Sequence, residues 1–236
     1  MSDLATVAKE AGLAVRSAGQ HRVEGLENID DKELSIGSII LVQPGHVELV
    51  NKGIAAGSLL NSATESKIED GTFLPVFMTK YWALYDNSGN KPKFVTSSPN
   101  ENDVKFKGKL RKEDLTDAMY KQKVKAEVIP VIFVAALMNG EPVKIAFKKG
   151  AGYYAGKDLY TLIVKGGGQI WANKYKLGSK LVPAKGDIPA YFALTVSKVG
   201  PATEDEKKMG ALLGESFQAK KEAEIQKDAS IDEPPF

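Results

Sequence analysis

The run Phe73-Leu-Pro-Val-Phe-Met-Thr-Lys-Tyr-Trp-Ala-Leu-Tyr85 holds the densest aromatic chemistry of the chain. In extended form, a period of two predicts Phe73, Phe77, Tyr81 and Tyr85 on one face and Leu74, Val76, Met78, Trp82 and Leu84 on the other. The second face reads as aliphatic core. The first offers flat rings for unstacked bases, each worth roughly 1–3 kcal/mol by alanine substitution. A strand over residues 104–111 would turn Val104, Phe106 and Leu110 inward and Lys105, Lys107, Lys109 and Arg111 outward. Lys121, Lys123 and Lys125 repeat that spacing, and Lys174 and Lys176 lie beside Trp171 and Tyr175, which a strand would place on one face. Cations interleaved with rings suit a single nucleic-acid strand, because phosphates are neutralised with counterion release while bases stack.

Two glycine turns imitate nucleotide-binding motifs. Gly150-Ala-Gly152-Tyr-Tyr-Ala155 has the form G-x-G-x-x-A between a strand and a helix, but no second strand ending in an acid follows about 20 residues later. Gly156-Lys157-Asp158 resembles a phosphate loop, with Asp158 where a magnesium-holding hydroxyl belongs. Both read as a strand-to-helix turn whose amides, with Lys148, Lys149 and Lys157, can hold a phosphate. No Ser/His/Asp arrangement is visible, and His21 and His46 are the only histidines. The absence of cysteine excludes disulfide scaffolds, zinc ribbons and thiol nucleophiles. The expectation is a protein that is not an enzyme, with no cofactor, no metal and no catalytic residue.

The elements that must position these residues are mostly strands. β-branched and aromatic runs separated by turn residues predict strands at 38–43, 72–86, 93–97, 104–111, 124–138, 143–149, 170–177 and 189–198. Asn139-Gly140 is a hairpin signal, and Lys185-Gly186-Asp187 is a looser one, so connectivity should be antiparallel. Tyr153 to Val164 fits a helix ended by Gly166-Gly167-Gly168. One helix inserted in an antiparallel sheet is the layout of an OB-like barrel. Thr203-Glu-Asp-Glu206 has capping-box spacing and opens a helix to about Gln226. Residues 3–18 predict a short N-terminal helix, 20–33 a linker and 44–71 loops. The division expected is 1–35 helix and linker, 36–200 nucleic-acid-binding core, 201–227 C-terminal helix and 228–236 disordered acidic tip.

Charge follows the same division. The net of +2 is the sum of −5 over residues 1–71, +11 over 72–200 and −4 over 201–236. A basic body between acidic ends is the distribution of a polyanion binder. The longest strongly apolar stretch, 128–138, is too short to span a bilayer, which needs about 20 residues, and no charged-then-apolar leader opens the chain. A cytoplasmic location is expected.

The chain closes Asp228-Ala-Ser-Ile-Asp232-Glu233-Pro234-Pro235-Phe236, carboxylates followed by a terminal ring. This ending resembles the acidic tip of bacterial and phage single-stranded DNA-binding proteins, departing from it at Pro234, where isoleucine is usual. The texture of 73–85 and of Tyr175-Lys-Leu-Gly-Ser-Lys180 is similar to phage-encoded members. The resemblance implies an OB-fold that coats single strands during replication and recombination without strong sequence preference. It also implies a tip that recruits partner proteins through Asp232, Glu233, Pro234, Pro235 and Phe236 and competes with DNA. The DNA-contacting set expected from the residues themselves is Phe77, Tyr81, Tyr85, Lys105, Lys107, Lys109, Arg111, Lys148, Lys149, Trp171, Lys174, Tyr175 and Lys176. RNA fits the same platforms, and a homo-oligomer is compatible with them. The rival readings are a β-rich phage structural or assembly protein without nucleic-acid function, and a nucleotide-dependent enzyme using the 150–158 turn.

Overall fold

The structure, a computed structural model, describes residues 36–86, 93–111, 126–148, 150–186 and 188–231. The N-terminal helix and linker, the lysines at 121, 123 and 125, Lys149 and residues 232–236 lie outside them. The elements are β1 (Ile39–Leu41), α1 (Val47–Asn51), β2 (Leu59–Asn61), β3 (Ser66–Lys67), β4 (Thr72–Asp86), β5 (Lys93–Ser98) and β6 (Leu110–Arg111). They continue with β7 (Ala126–Met138), β8 (Glu141–Lys148), α2 (Tyr153–Lys165), β9 (Asn173–Val182), β10 (Tyr191–Pro201) and α3 (Glu204–Ile231). The chain is mainly β with helical additions, as its composition of β-branched and aromatic runs anticipates.

β4 and β7 form the spine, an antiparallel pair from Phe73↔Met138 to Asp86↔Ala126. At the first end of the spine the order is β10–β9–β4–β7–β8, with β9 returning to β4 at Thr72↔Lys176 and Phe73↔Tyr175. At the other end, β5 takes the place of β9 beside β4, and the short β6 pairs with β7 in parallel. This wing is the one departure from antiparallel pairing among the named strands. Close approach of β9 to β4 requires Gly71, since a Cβ there would meet the Leu177 carbonyl oxygen. The Asn139-Gly140 hairpin forms as expected, both residues having positive φ (53° and 82°).

No ladder closes the sheet into a barrel among the described residues. The gap between β8 and β10 is bridged in pieces. Ser38 makes an isolated parallel bridge to Lys144 of β8, and the Leu194 N–H donates to the Ala151 carbonyl (2.6 Å). The Gln43 side chain clasps the Phe192 backbone on both sides, donating to its carbonyl (2.8 Å) and accepting from its N–H (2.9 Å).

The inner core draws Phe73, Ile132, Val134, Val143, Ile145, Phe147, Tyr175 and Leu177 from the strands and Ala155, Leu159 and Ile163 from α2. On the outer face of the sheet, α3 packs Met209, Leu213 and Phe217 over Leu74, Val76, Ala135 and Leu137. Its start is the capping box read from sequence: the Thr203 N–H donates to the Glu206 carboxylate (2.7 Å), and the Glu206 N–H to the Thr203 hydroxyl (3.3 Å). α3 runs to Ile231, so Asp228–Ile231, expected to be disordered, are helical. No proline interrupts that stretch before Pro234, and Ala229 favours the helix. Among the described residues no helix is long and apolar enough to cross a membrane.

Candidate nucleic-acid interface

Strand β4 is where the faces are decided. Pro75 pairs with Ala136 and Phe77 with Ala135, leaving Val76 as the extra residue of a β-bulge. The bulge inverts the alternation, and proline is at home beside it. Phe73 therefore points into the inner core, while Leu74 and Val76 lie on the outer side with Phe77. Beyond the bulge the expected pattern holds. Phe77, Tyr81 and Tyr85 share the outer face, and Met78, Trp82 and Leu84 the inner one.

The three outer rings have different fates. Phe77 is covered by α3, stacked on Phe217 with ring centres 6.0 Å apart. Tyr81 and Tyr85 lie further along the spine, partly buried, and pack with Ala146 over Ala83, Ile129 and Val131. Burial, with a smaller contribution from Tyr85, pushes the Tyr81 hydroxyl pKa above its usual value. Phe94 of β5 meets Tyr85 edge to face at 5.9 Å, and Lys148 of β8 sets its ammonium 5.0 Å from the Tyr85 ring centre. Two tyrosines, a phenylalanine and a lysine thus converge from three strands on one face. On the opposite face of the wing, Lys80 lies 4.8 Å over Trp82, a ring that period-two alternation assigns to aliphatic core.

Residues 8–223 match the family described as Pam3 phage gp34-like protein. The chain belongs to that family. No curated protein and no solved structure matches it.

Other parts of the expected site of this gp34-like chain are arranged differently. The strand expected over 104–111 is a 3-10 turn at Val104–Phe106, a turn at 107–108, and β6. Asp103 caps the turn by accepting from the Lys105 N–H (2.9 Å). The Ser98 hydroxyl (2.6 Å), then that N–H, hold the Asp103 carboxyl below its ordinary pKa. Phe106 is buried against Leu84 and Val128, but Val104 is 82% exposed, so the inward alternation fails. Lys105, Lys107 and Lys109 remain exposed on a turn, not as a strand stripe. Arg111 sits in β6 opposite Val128.

Trp171 and Tyr175 do not share a face. Trp171 belongs to the turn before β9 and packs under α3, where Gly210 and Gly214 leave room for it. Tyr175 is fully buried in the inner core against Phe73, with ring centres 6.1 Å apart. Burial pushes its hydroxyl pKa up, offset in part by Asn173, whose geometry falls short of a hydrogen bond. Neither ring is placed to stack on a base. Lys174 is bound to Glu206 (3.1 Å), and Lys176 stands 3.7 Å from Asp70. The Asp70 carboxyl is held below its ordinary pKa by the Thr72 hydroxyl foremost and also by Lys176. Of the expected contact set, the structure brings together Tyr81, Tyr85 and Lys148. Sequence reasoning missed Phe94, whose only signal was an aromatic in a short strand facing Tyr85. Among the described residues, no group of three or more His, Cys, Asp or Glu could hold a metal ion.

Proposed function

We propose that the chain is a single-stranded DNA-binding protein whose contact surface is the wing face carrying Tyr81, Tyr85 and Lys148. The observation behind this reading is the convergence of partly exposed rings with a cation 5.0 Å from one of them, on a β-sheet face within a segment of net charge +11. Rings accept bases of any identity, and lysines neutralise phosphate, so binding is tolerant of sequence and weakened by salt. The connection order supports it. The path β4–β7–β8–α2–β9–β10, with β9 returning to β4, follows that of an OB-fold left open between β8 and β10. Oligonucleotides bind such folds across the second and third strands, here β7 and β8. The protein then coats transient single strands in the cytoplasm during replication or recombination, and the acidic segment ending at Phe236 docks partner proteins.

The pairing of Lys174 and Lys176 with acids favours a second reading, a phage structural or assembly protein whose lysines serve its own packing. Fluorescence anisotropy of labelled oligo-dT at low and high salt, with a duplex of equal length as control, separates the two. Salt-weakened binding of the single strand, with much weaker binding of the duplex, is expected. Binding of neither DNA would overturn the proposal and leave the assembly role in its place.

A further inference from the structure

The solvent side of α2 is unusual for a surface helix. Its buried side, Ala155, Gly156, Leu159 and Ile163, is accounted for by the inner core, and Gly156 lets the helix lie against Phe147. The other side carries Tyr154 and Tyr160, 71% and 60% exposed, together with Val164, where lysine or glutamate would serve the helix better. Exposed rings grouped with cations mark contact surfaces, because tyrosine offers an apolar body with a polar tip. Lys157 and Lys165 stand among them, and Asp158 is the lone carboxylate of the helix.

The position of this face relative to the wing identifies its occupant. Lys148 over Tyr85 closes β8, and five residues later Tyr153 opens α2 with the Lys157 ammonium 5.2 Å from its ring centre. Gly152 backs directly onto the Lys148 backbone, so the start of α2 lies against the end of β8. Five residues span at most about 17 Å even when fully extended. Among the described residues 148–165, three lysines face one acid, a balance that suits a phosphate backbone.

We infer that a bound single strand continues from the Tyr81–Tyr85–Lys148 face across the β8–α2 turn onto α2, where Tyr154 and Tyr160 stack bases and Lys157 and Lys165 take phosphates. This rests on the DNA-binding reading above and extends its footprint to a helix that the strand pattern alone did not assign to it. The experiment compares oligo-dT of about 6 and about 20 nucleotides, lengths near the lower end and beyond the roughly 4–16 nucleotides covered by an OB-fold. Affinities of the full chain are measured by anisotropy for wild type, Y154A/Y160A, Y154F/Y160F and K157A/K165A. Y154A/Y160A should bind the long oligonucleotide about 30-fold more weakly, the low end of two stacking losses, and Y154F/Y160F should restore it. K157A/K165A should reduce the salt slope for the long oligonucleotide by about 1.4, two phosphate contacts on a single strand. All four side chains are exposed, so thermal midpoints should not change, and the salt slope gives a second readout if one variant folds poorly. Long-oligonucleotide affinity and salt slope equal to wild type in both the alanine and the lysine variants would overturn the α2 path while the wing reading stands. Failure of wild type to bind either length would overturn both.

Discussion

Lys148 pairs in register with Val131, which in turn pairs with Tyr81, yet its ammonium lies 5.0 Å from the centre of the Tyr85 ring. The side chain therefore reaches along the sheet from the level of Tyr81 to the Tyr85 ring on the outer face of the spine. This places a phosphate-seeking cation at the rim of a two-ring platform.

From that arrangement, Tyr85→Ala should weaken oligo-dT binding about 10-fold, near the low end of one stacking loss, and Tyr85→Phe should retain it. Lys148→Ala should flatten the dependence of log K on log salt by about 0.7, one phosphate contact on a single strand. Anisotropy titrations over a salt series check both. An unchanged slope would remove Lys148 from the interface.

Phe77 and Trp171 should behave as packing residues. Each lies under α3, so alanine should cost about 2–3 kcal/mol of stability, less than the roughly 3–5 kcal/mol of a fully buried ring. Urea unfolding measures that loss. At temperatures where both variants remain folded, oligo-dT affinity should stay within about twofold of wild type, because neither ring's removal takes away a stacking contact of about 1 kcal/mol or more.

The long strands of the spine were legible in the sequence, whereas α1, β2 and β3, within the stretch 44–71 read as loops, and most side-chain faces were not. The run 72–86 announces β4 by its β-branched and aromatic content, and the helix at 153–165 by apolar spacing and a glycine stop. The bulge at Val76 is invisible to a period-two argument, because it is a property of the pairing with β7, and it exchanges Phe73 for Leu74 and Val76. The lysines at 105, 107 and 109 mimic strand alternation, but the local bonds of Asp103 win and form a 3-10 turn. Residues 169–172 are turn, not strand, so Trp171 and Tyr175 have no common periodicity. Whether a lysine was solvated or paired depended on Glu206 and Asp70, distant in sequence from Lys174 and close to Lys176 only across the sheet.

Gly214 sets how closely α3 approaches the sheet. A Cβ there would fall 2.7 Å from the Val76 carbonyl oxygen, on backbone that cannot rotate away, and 3.3 Å from the Trp171 ring. Gly214→Ala should gain up to about 1 kcal/mol in helix propensity. It should still lower stability, because overpacking of this kind costs about 1–3 kcal/mol. A lower urea midpoint is expected, where an ordinary surface helix would show a higher one.

The capping box gives α3 a pH dependence. Burial pushes the Glu206 carboxyl up, but the Thr203 N–H and hydroxyl and the Lys174 ammonium outweigh it, leaving its pKa below the ordinary 4.5. A carboxyl depressed on folding adds stability that is fully present above its unfolded value and fades as pH falls through the folded one. Thr203→Ala should cost about 1 kcal/mol at neutral pH. Glu206→Gln should be destabilising at pH 7, and its difference from wild type should shrink below about pH 4 as the wild-type carboxyl protonates. Urea midpoints at the two pH values check the sign.

The most direct test of the wing interface is photo-crosslinking of the full chain to a single strand carrying 5-iododeoxyuridine, with the adducts mapped by peptide mass spectrometry. Base stacking on the outer face of the spine requires adducts at Tyr81 or Tyr85, competed away by unlabelled oligo-dT and lost at high salt. Adducts confined to peptides that contain neither tyrosine, under conditions where the strand is bound, would contradict it.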